Sequence, residues 1–147
     1  MNTKTMFQSN RKSTERMQQL IQGLSEAELS RITASHWTIA VTLAHLAFWD
    51  QRVIHVLESA ERNEEWDVPY LDAQINDILP PFLAAIPPAD AAALTLHTAG
   101  KLDEMLEECP AELLAQVLEI NHRLVERSLH RNTHLDEIES TLKSPRG

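Results

Sequence analysis

The sequence predicts an all-α domain built as a bundle of amphipathic helices, on three observations. Ala, Leu, Glu, Gln and Arg dominate, residues that enter a helix at little cost, while only three glycines are present and clusters of Val, Ile and Thr are few. Apolar residues recur at spacings of three and four, as in Ile39, Leu43, Leu46, Val53 and Leu57. Caps and prolines divide the chain into several such segments within 147 residues, a length that fits one domain over 1–147 with a real core.

The first helix is expected over 3–22, with Phe7, Met17, Leu20 and Ile21 on its apolar side and Gly23 ending it. Ser25-Glu26-Ala27-Glu28 has the spacing of a capping box and predicts a short helical turn over 26–30. Residues 31–37 read as a loop carrying His36 and Trp37. Thr38 is a good N-cap for a second long helix running to about Arg62. Asp50 falls in the middle of that helix's apolar stripe. A carboxylate there needs partners, because burying it unpaired is costly. It fits either a loop-capping role or a place behind a ligand in a polar cleft.

Periodicity fails from Asn63 to Pro88. E-E-W-D-V-P-Y reads as loop, Leu71–Leu79 as a short helix, and Pro80-Pro81 and Pro87-Pro88 as punctuation. A connection this long lets the second and third long helices run parallel, and such connections often line a cleft. Trp66, Tyr70 and Asn76 are its candidate wall residues. A third long helix is expected over 89–108, burying Ala91, Leu94, Leu102, Met105 and Leu106. Ala111–Leu118 reads as a short helical piece, 121–142 as the fourth long helix, and S-P-R-G as a frayed tail.

The net charge is −9 and the pI about 5.2, with basic residues scattered. Without a Lys/Arg stripe to meet a phosphate backbone, a nucleic-acid partner is not expected. Apolar runs fall short of the ~20 residues of a membrane helix, and the N-terminus has no apolar stretch of signal-peptide type. Cys109 is the single cysteine, which excludes a disulfide framework and fits a reducing cytoplasm. Its place beside Pro110 at a helix end marks it as structural.

Chemistry concentrates in S-L-H-R-N-T-H-L-D-E-I, residues 128–138. His130 and His134 stand four apart, which on a helix brings the second imidazole within about 40° of the first, one turn along. Leu124, Leu135, Ile138 and Leu142 form the apolar stripe, and the two histidines lie on its flank, where side chains point into clefts between helices. With seven histidines in the chain, spacing alone does not separate a ligand pair from solvated helix histidines. Such a pair can share a metal ion if another element supplies at least a third ligand. His45, in T-L-A-H-L-A-F-W-D, lies on a line with Thr38, Thr42, Trp49 and Arg52 beside its helix's stripe. It fits both that ligand and a core-edge histidine bonded to a neighbour. His97 has no partner at ligand spacing.

W-T-I-A-V-T-L-A-H-L-A-F-W-D and L-H-R-N-T-H-L-D-E-I-E together resemble the DinB-like superfamily, which includes the mycothiol-dependent maleylpyruvate isomerase type; D-A-Q-I-N-D-I-L-P is similar too. The resemblance covers most of the chain: a tryptophan before the second long helix, a histidine two turns into it, and H-x3-H in the last helix. It implies an up-down-down-up four-helix bundle with one long crossover between helices 2 and 3. It also implies a three-histidine metal site whose ligands are His45, His130 and His134, with zinc or nickel as the ion. A small-molecule substrate is implied with it, a low-molecular-weight thiol in better-known relatives, used for transfer or isomerisation. A non-catalytic, metal- or ligand-binding stress-response role is the alternative, and a homodimer is expected. Asp50 or Glu137 could orient a ligand imidazole, Glu137 lying one turn beyond His134. Trp37, Trp49 and the 63–88 segment would wall the cleft.

Overall fold

The computed structural model describes residues 2–62 and 66–145. It is mostly helical, with a single isolated bridge pairing Ile32 and Thr38 and no strand among the described residues. Four long helices, α1 (Thr3–Ile21), α3 (Ile39–Glu61), α6 (Pro88–Glu108) and α8 (Ser128–Lys143), carry the core, and α2 (Glu26–Leu29), α4 (Ile75–Ile78), α5 (Pro80–Leu83) and α7 (Ala111–Ile120) are shorter. α3 packs on α6 and α8, and α1 packs on the same two helices. None of these helices is long and apolar enough to cross a membrane.

The expected punctuation holds where its chemistry is local. Gly23 takes φ +76°, the left-handed conformation that ends a helix at no steric cost. Ser25 and Glu28 form the reciprocal capping box, and the Thr38 hydroxyl accepts from the Val41 N–H at 3.0 Å to start α3. Between them the chain reverses at His36, whose φ of +68° is uncommon outside glycine. That turn lets the Thr33 N–H donate to the Trp37 carbonyl at 2.8 Å, which sets Trp37 down immediately before α3.

Three expectations need correction. The segment 121–142 is not one helix: a 3-10 turn, η1 (His122–Leu124), precedes α8. Asn10 of α1 explains the break. Its side chain donates to the Val125 carbonyl at 2.8 Å and accepts from the Ser128 N–H at 3.0 Å, taking two backbone groups a continuous helix would have used internally. The helix expected over Leu71–Leu79 shrinks to α4, and Pro80 opens α5 rather than stopping it, because proline is well placed at a helix's first position. Leu94 is 42% exposed rather than buried. The loop expected from Asn63 starts outside the described residues, as the end of the S-P-R-G tail also does.

The core is two apolar clusters divided by a polar layer. Met17, Ile21, Ile39, Leu43, Leu46, Leu135 and Ile138 belong to one cluster; Met6, Val53, Ile54, Leu57, Leu102, Leu106 and Val125 belong to the other. Near the junction of these sets each long helix carries buried polar residues: Asn10 and Ser13 on α1, Asp50 on α3, Asp103 on α6, Arg131 on α8. Arg131 is fully buried. Its guanidinium meets Asp50 at 3.0 Å and Asp103 at 2.8 Å, and donates further to the Asn10 carbonyl and to the Ser13 and Thr14 hydroxyls. Arg127 takes the other Asp50 oxygen at 2.9 Å. Two cations thus face two carboxylates with their hydrogen-bonding groups engaged, the condition under which buried charge is tolerated.

Candidate metal centre

α3 and α8 bring His45, His130 and His134 together. His45 is buried at 3% exposure, and the two α8 histidines are half-buried. One ring nitrogen from each falls within 4.8 Å of the others. The ring centroids form a near-regular triangle, 5.1 Å for His45–His130, 4.7 Å for His45–His134 and 5.0 Å for His130–His134. All three rings stand edge to face, so none stacks against another and their nitrogens converge.

The donor set fits a small divalent cation. Nε2 of His45 and Nε2 of His130 are 3.2 Å apart. Two nitrogens bound to one tetrahedral ion at about 2.0–2.1 Å stand about 3.3 Å from each other. Burial lowers the His45 pKa to about 4, with His134 adding to the effect, and lowers that of His130 to about 2, helped by Arg127. His134 is lowered by burial too, against an opposing pull from Glu137. All three are therefore neutral at pH 7, the form that offers a lone pair.

Around the triangle lie the other residues singled out from the sequence. Trp37 has its ring centroid 4.9 Å from that of His45 and stacks over His134 at 6.3 Å. Trp49 stands edge-on to His45 at 6.4 Å, and its indole N–H donates to Asn76 at 3.0 Å, pinning α4 to α3. Glu137 approaches Nδ1 of His134 at 3.6 Å, just too far for a hydrogen bond, so that buried nitrogen has no partner among the described residues. The Ser35 hydroxyl donates to the same carboxylate at 3.1 Å and ties the 31–37 loop to α8.

A family model described as the DinB superfamily matches residues 10–141, a span containing α3, all three histidines and α8 up to its last two residues. The chain belongs to the DinB superfamily. No curated protein and no solved structure matches it.

Not every expected residue of this DinB chain reaches the histidines. Asp50 bonds Arg127 and Arg131 instead of an imidazole, because two guanidinium groups outcompete a neutral ring for a buried carboxylate. Trp66 packs with the cluster around Val53 and Leu57, and Tyr70 is 87% exposed. His97 is exposed and apart. Arg127, Arg131, Asp103 and Ser35 went unnamed in the sequence reading. The clue was present: Asp50 in an apolar stripe demanded a cation, and Arg127 and Arg131 stand at i, i+4 beside the histidine pair.

Proposed function

We propose that this DinB-superfamily protein is a metal-dependent enzyme that joins a low-molecular-weight thiol to an electrophile, a transfer of the detoxifying type, at His45, His130 and His134. The observation that supports it best is the convergence of three neutral imidazoles from two helices, a set that leaves coordination positions open. Zinc or nickel, which three nitrogens suit equally, would supply Lewis acidity there and hold a bound water or thiol deprotonated at neutral pH. The chain's own residues then have separate tasks. His45 brings a nitrogen from α3 to the pair on α8, Trp37 covers His45 and His134, and Trp49 with Asn76 closes the side toward the crossover. Glu137, held by Ser35, steadies the His134 ring through Nδ1. In this reading the four long helices form an up-down-down-up bundle, with the connection between α3 and α6 as its crossover, in the cytoplasm.

The test is elemental analysis of protein purified without a His-tag or metal column, beside His45→Ala and His134→Ala. About one equivalent of zinc or nickel, lost in both variants, is the expected result. Thiol–electrophile turnover should then vanish in His134→Ala while the helical signal survives. Wild type that takes up neither ion on reconstitution overturns the reading.

A second reading, a non-catalytic metal- or ligand-binding protein acting as a homodimer, is favoured by the exposure of Tyr70, Ile78 and Phe82 at 87, 61 and 69% along the crossover. Sedimentation analysis giving a dimer that Phe82→Asp dissociates, with no turnover on a broad thiol and electrophile panel, would select it.

A further inference from the structure

Arg52 lies one turn beyond Trp49 on α3 and takes no part in the polar layer. Within that layer the charges of Arg127 and Arg131 are matched by those of Asp50 and Asp103, which leaves Arg52 as surplus positive charge beside it. Its Nε and Nη2 both donate to the Pro69 carbonyl, at 3.1 and 2.9 Å, so the guanidinium is held in place by the crossover. It forms no ion pair with a carboxylate among the described residues, and Nη1 makes no hydrogen bond among them. Burial and the neighbouring Arg127 push its pKa below the ordinary arginine value, as expected for a cation short of counter-charge. In a chain of net charge −9 that shortage is a local arrangement, since acidic groups are abundant elsewhere.

The surroundings of this cation are mostly apolar, with Gln51 and His55 as the polar members. Its guanidinium carbon sits 5.5 Å over the Trp49 ring, and Trp49 is the residue that stands edge-on to His45 at 6.4 Å. Beside it opens a cavity of about 310 Å³ lined by Phe48, Gln51, His55, Pro69 and Leu71. An apolar recess with one fixed planar cation suits an organic carboxylate, which a guanidinium fork binds through parallel N–H bonds. A phosphate monoester carries nearly two negative charges and three strong acceptor oxygens, more than this single guanidinium satisfies.

We propose that Arg52 anchors the carboxylate of a small organic acid whose apolar body occupies the cavity lined by Phe48, Pro69 and Leu71. Identifying that acid as a substrate of the histidine site rests on the function proposed above, through the Arg52–Trp49–His45 continuity; the anchor itself does not. The substrate class is thereby narrowed to carboxylate-bearing molecules.

Calorimetric titration with 3-phenylpropionate and its uncharged amide tests the anchor on zinc-loaded wild type, Arg52→Gln and His134→Ala. The wild type should bind the acid at least about 10-fold more tightly than the amide, and Arg52→Gln should weaken the acid by about 10- to 100-fold, the range of a charge-assisted hydrogen bond. Gln retains a donor for Pro69, and an unchanged melting curve and zinc content would show that the fold and the histidine site persist in this variant. Binding of the acid should survive in His134→Ala, even if that variant holds no zinc. Equal affinity for acid and amide, no binding of either at the solubility limit, or acid binding unchanged in Arg52→Gln overturns the anchor. Acid binding lost in His134→Ala but kept in Arg52→Gln would place the carboxylate on the metal instead. Loss of zinc binding in wild type would overturn the metal reading and leave the anchor standing on its own titration.

Discussion

Asp50 and Arg131 meet at 3.0 Å inside the core, and they join the same two helices that carry the histidines. Asp50 follows His45 by five residues on α3, and Arg131 directly follows His130 on α8. The ion pair therefore sets the register of α8 against α3, and with it the distance between the nitrogens of His45 and His130. Arg131 is bonded to α1 and α6 as well, so one side chain ties all four long helices at the level of the site.

Arg131→Met should accordingly be among the most damaging substitutions in the chain. It removes the shared partner of Asp50 and Asp103, leaving Asp103 with the Thr14 hydroxyl and Asp50 with Arg127. Breaking a buried pair from one side costs about 3–5 kcal/mol. Urea unfolding is the measurement, with zinc content determined on the same samples; stability and metal retention should fall together. A loss under about 1 kcal/mol would show that both carboxylates find other means of neutralisation and that the layer does not hold α8.

Metal-free protein should lose stability as the pH falls below neutrality. Burial holds His45 at about 4 and His130 at about 2 in the folded chain, against about 6.5 when unfolded. Between the folded and unfolded values the unfolded chain binds more protons, so unfolding free energy rises with pH through that window and levels off above about 6.5. The part of the window above about pH 5 is largely clear of carboxylate titration. Urea midpoints from pH 7.5 down to about 5 should decline, and His45→Gln should decline less steeply. Identical slopes for the two proteins would mean that the His45 imidazole is not held neutral by the fold.

Much of this was legible in the sequence because it depends on local chemistry. Gly23, the Ser25/Glu28 box and Thr38 mark helix ends by bonds that span only a few residues, and the histidine spacing needs nothing beyond helical periodicity. What escaped was long-range. The break before α8 is made by Asn10, more than a hundred residues earlier, and nothing within 121–142 signals it. The partner of Asp50 was foreseeable as a cation but not as Arg131, because an arginine beside two histidines on an amphipathic helix also reads as solvated. Asp50 itself drew attention toward the histidines only through its nearness in sequence.

Zinc should raise the melting temperature in proportion to how tightly the folded site holds it. At a free concentration 100 times the dissociation constant, linkage gives about 2.7 kcal/mol, which for a chain of this length is about 5–11 °C in Tm. The shift should be absent in His45→Ala and His130→Ala, since each removes a nitrogen of the 3.2 Å pair. Differential scanning calorimetry with and without added zinc measures it directly. A shift of equal size in both variants would assign the stabilisation to ions bound elsewhere on an acidic surface.

Glu137 offers the sharpest separation between a residue that tunes the site and one that merely sits near it. Its carboxylate lies 3.6 Å from Nδ1 of His134, a buried nitrogen with no hydrogen-bond partner among the described residues, and the Ser35 hydroxyl holds it there at 3.1 Å. A carboxylate behind a ligand imidazole fixes the ring's tautomer and raises its basicity, and losing such a partner typically costs about 10–100-fold in metal affinity. Glu137→Gln preserves shape while removing the charge, and Ser35→Ala removes only the hydroxyl that positions it. Chelator-competition titrations should show weaker zinc binding in both variants, more so in Glu137→Gln. The metal-free proteins should melt close to wild type, because Glu137 is only partly buried and its one tie to another element is the partly exposed Ser35 bond named here. Wild-type zinc affinity in Glu137→Gln would reduce it to an ordinary solvated glutamate on α8 and leave Nδ1 of His134 to water.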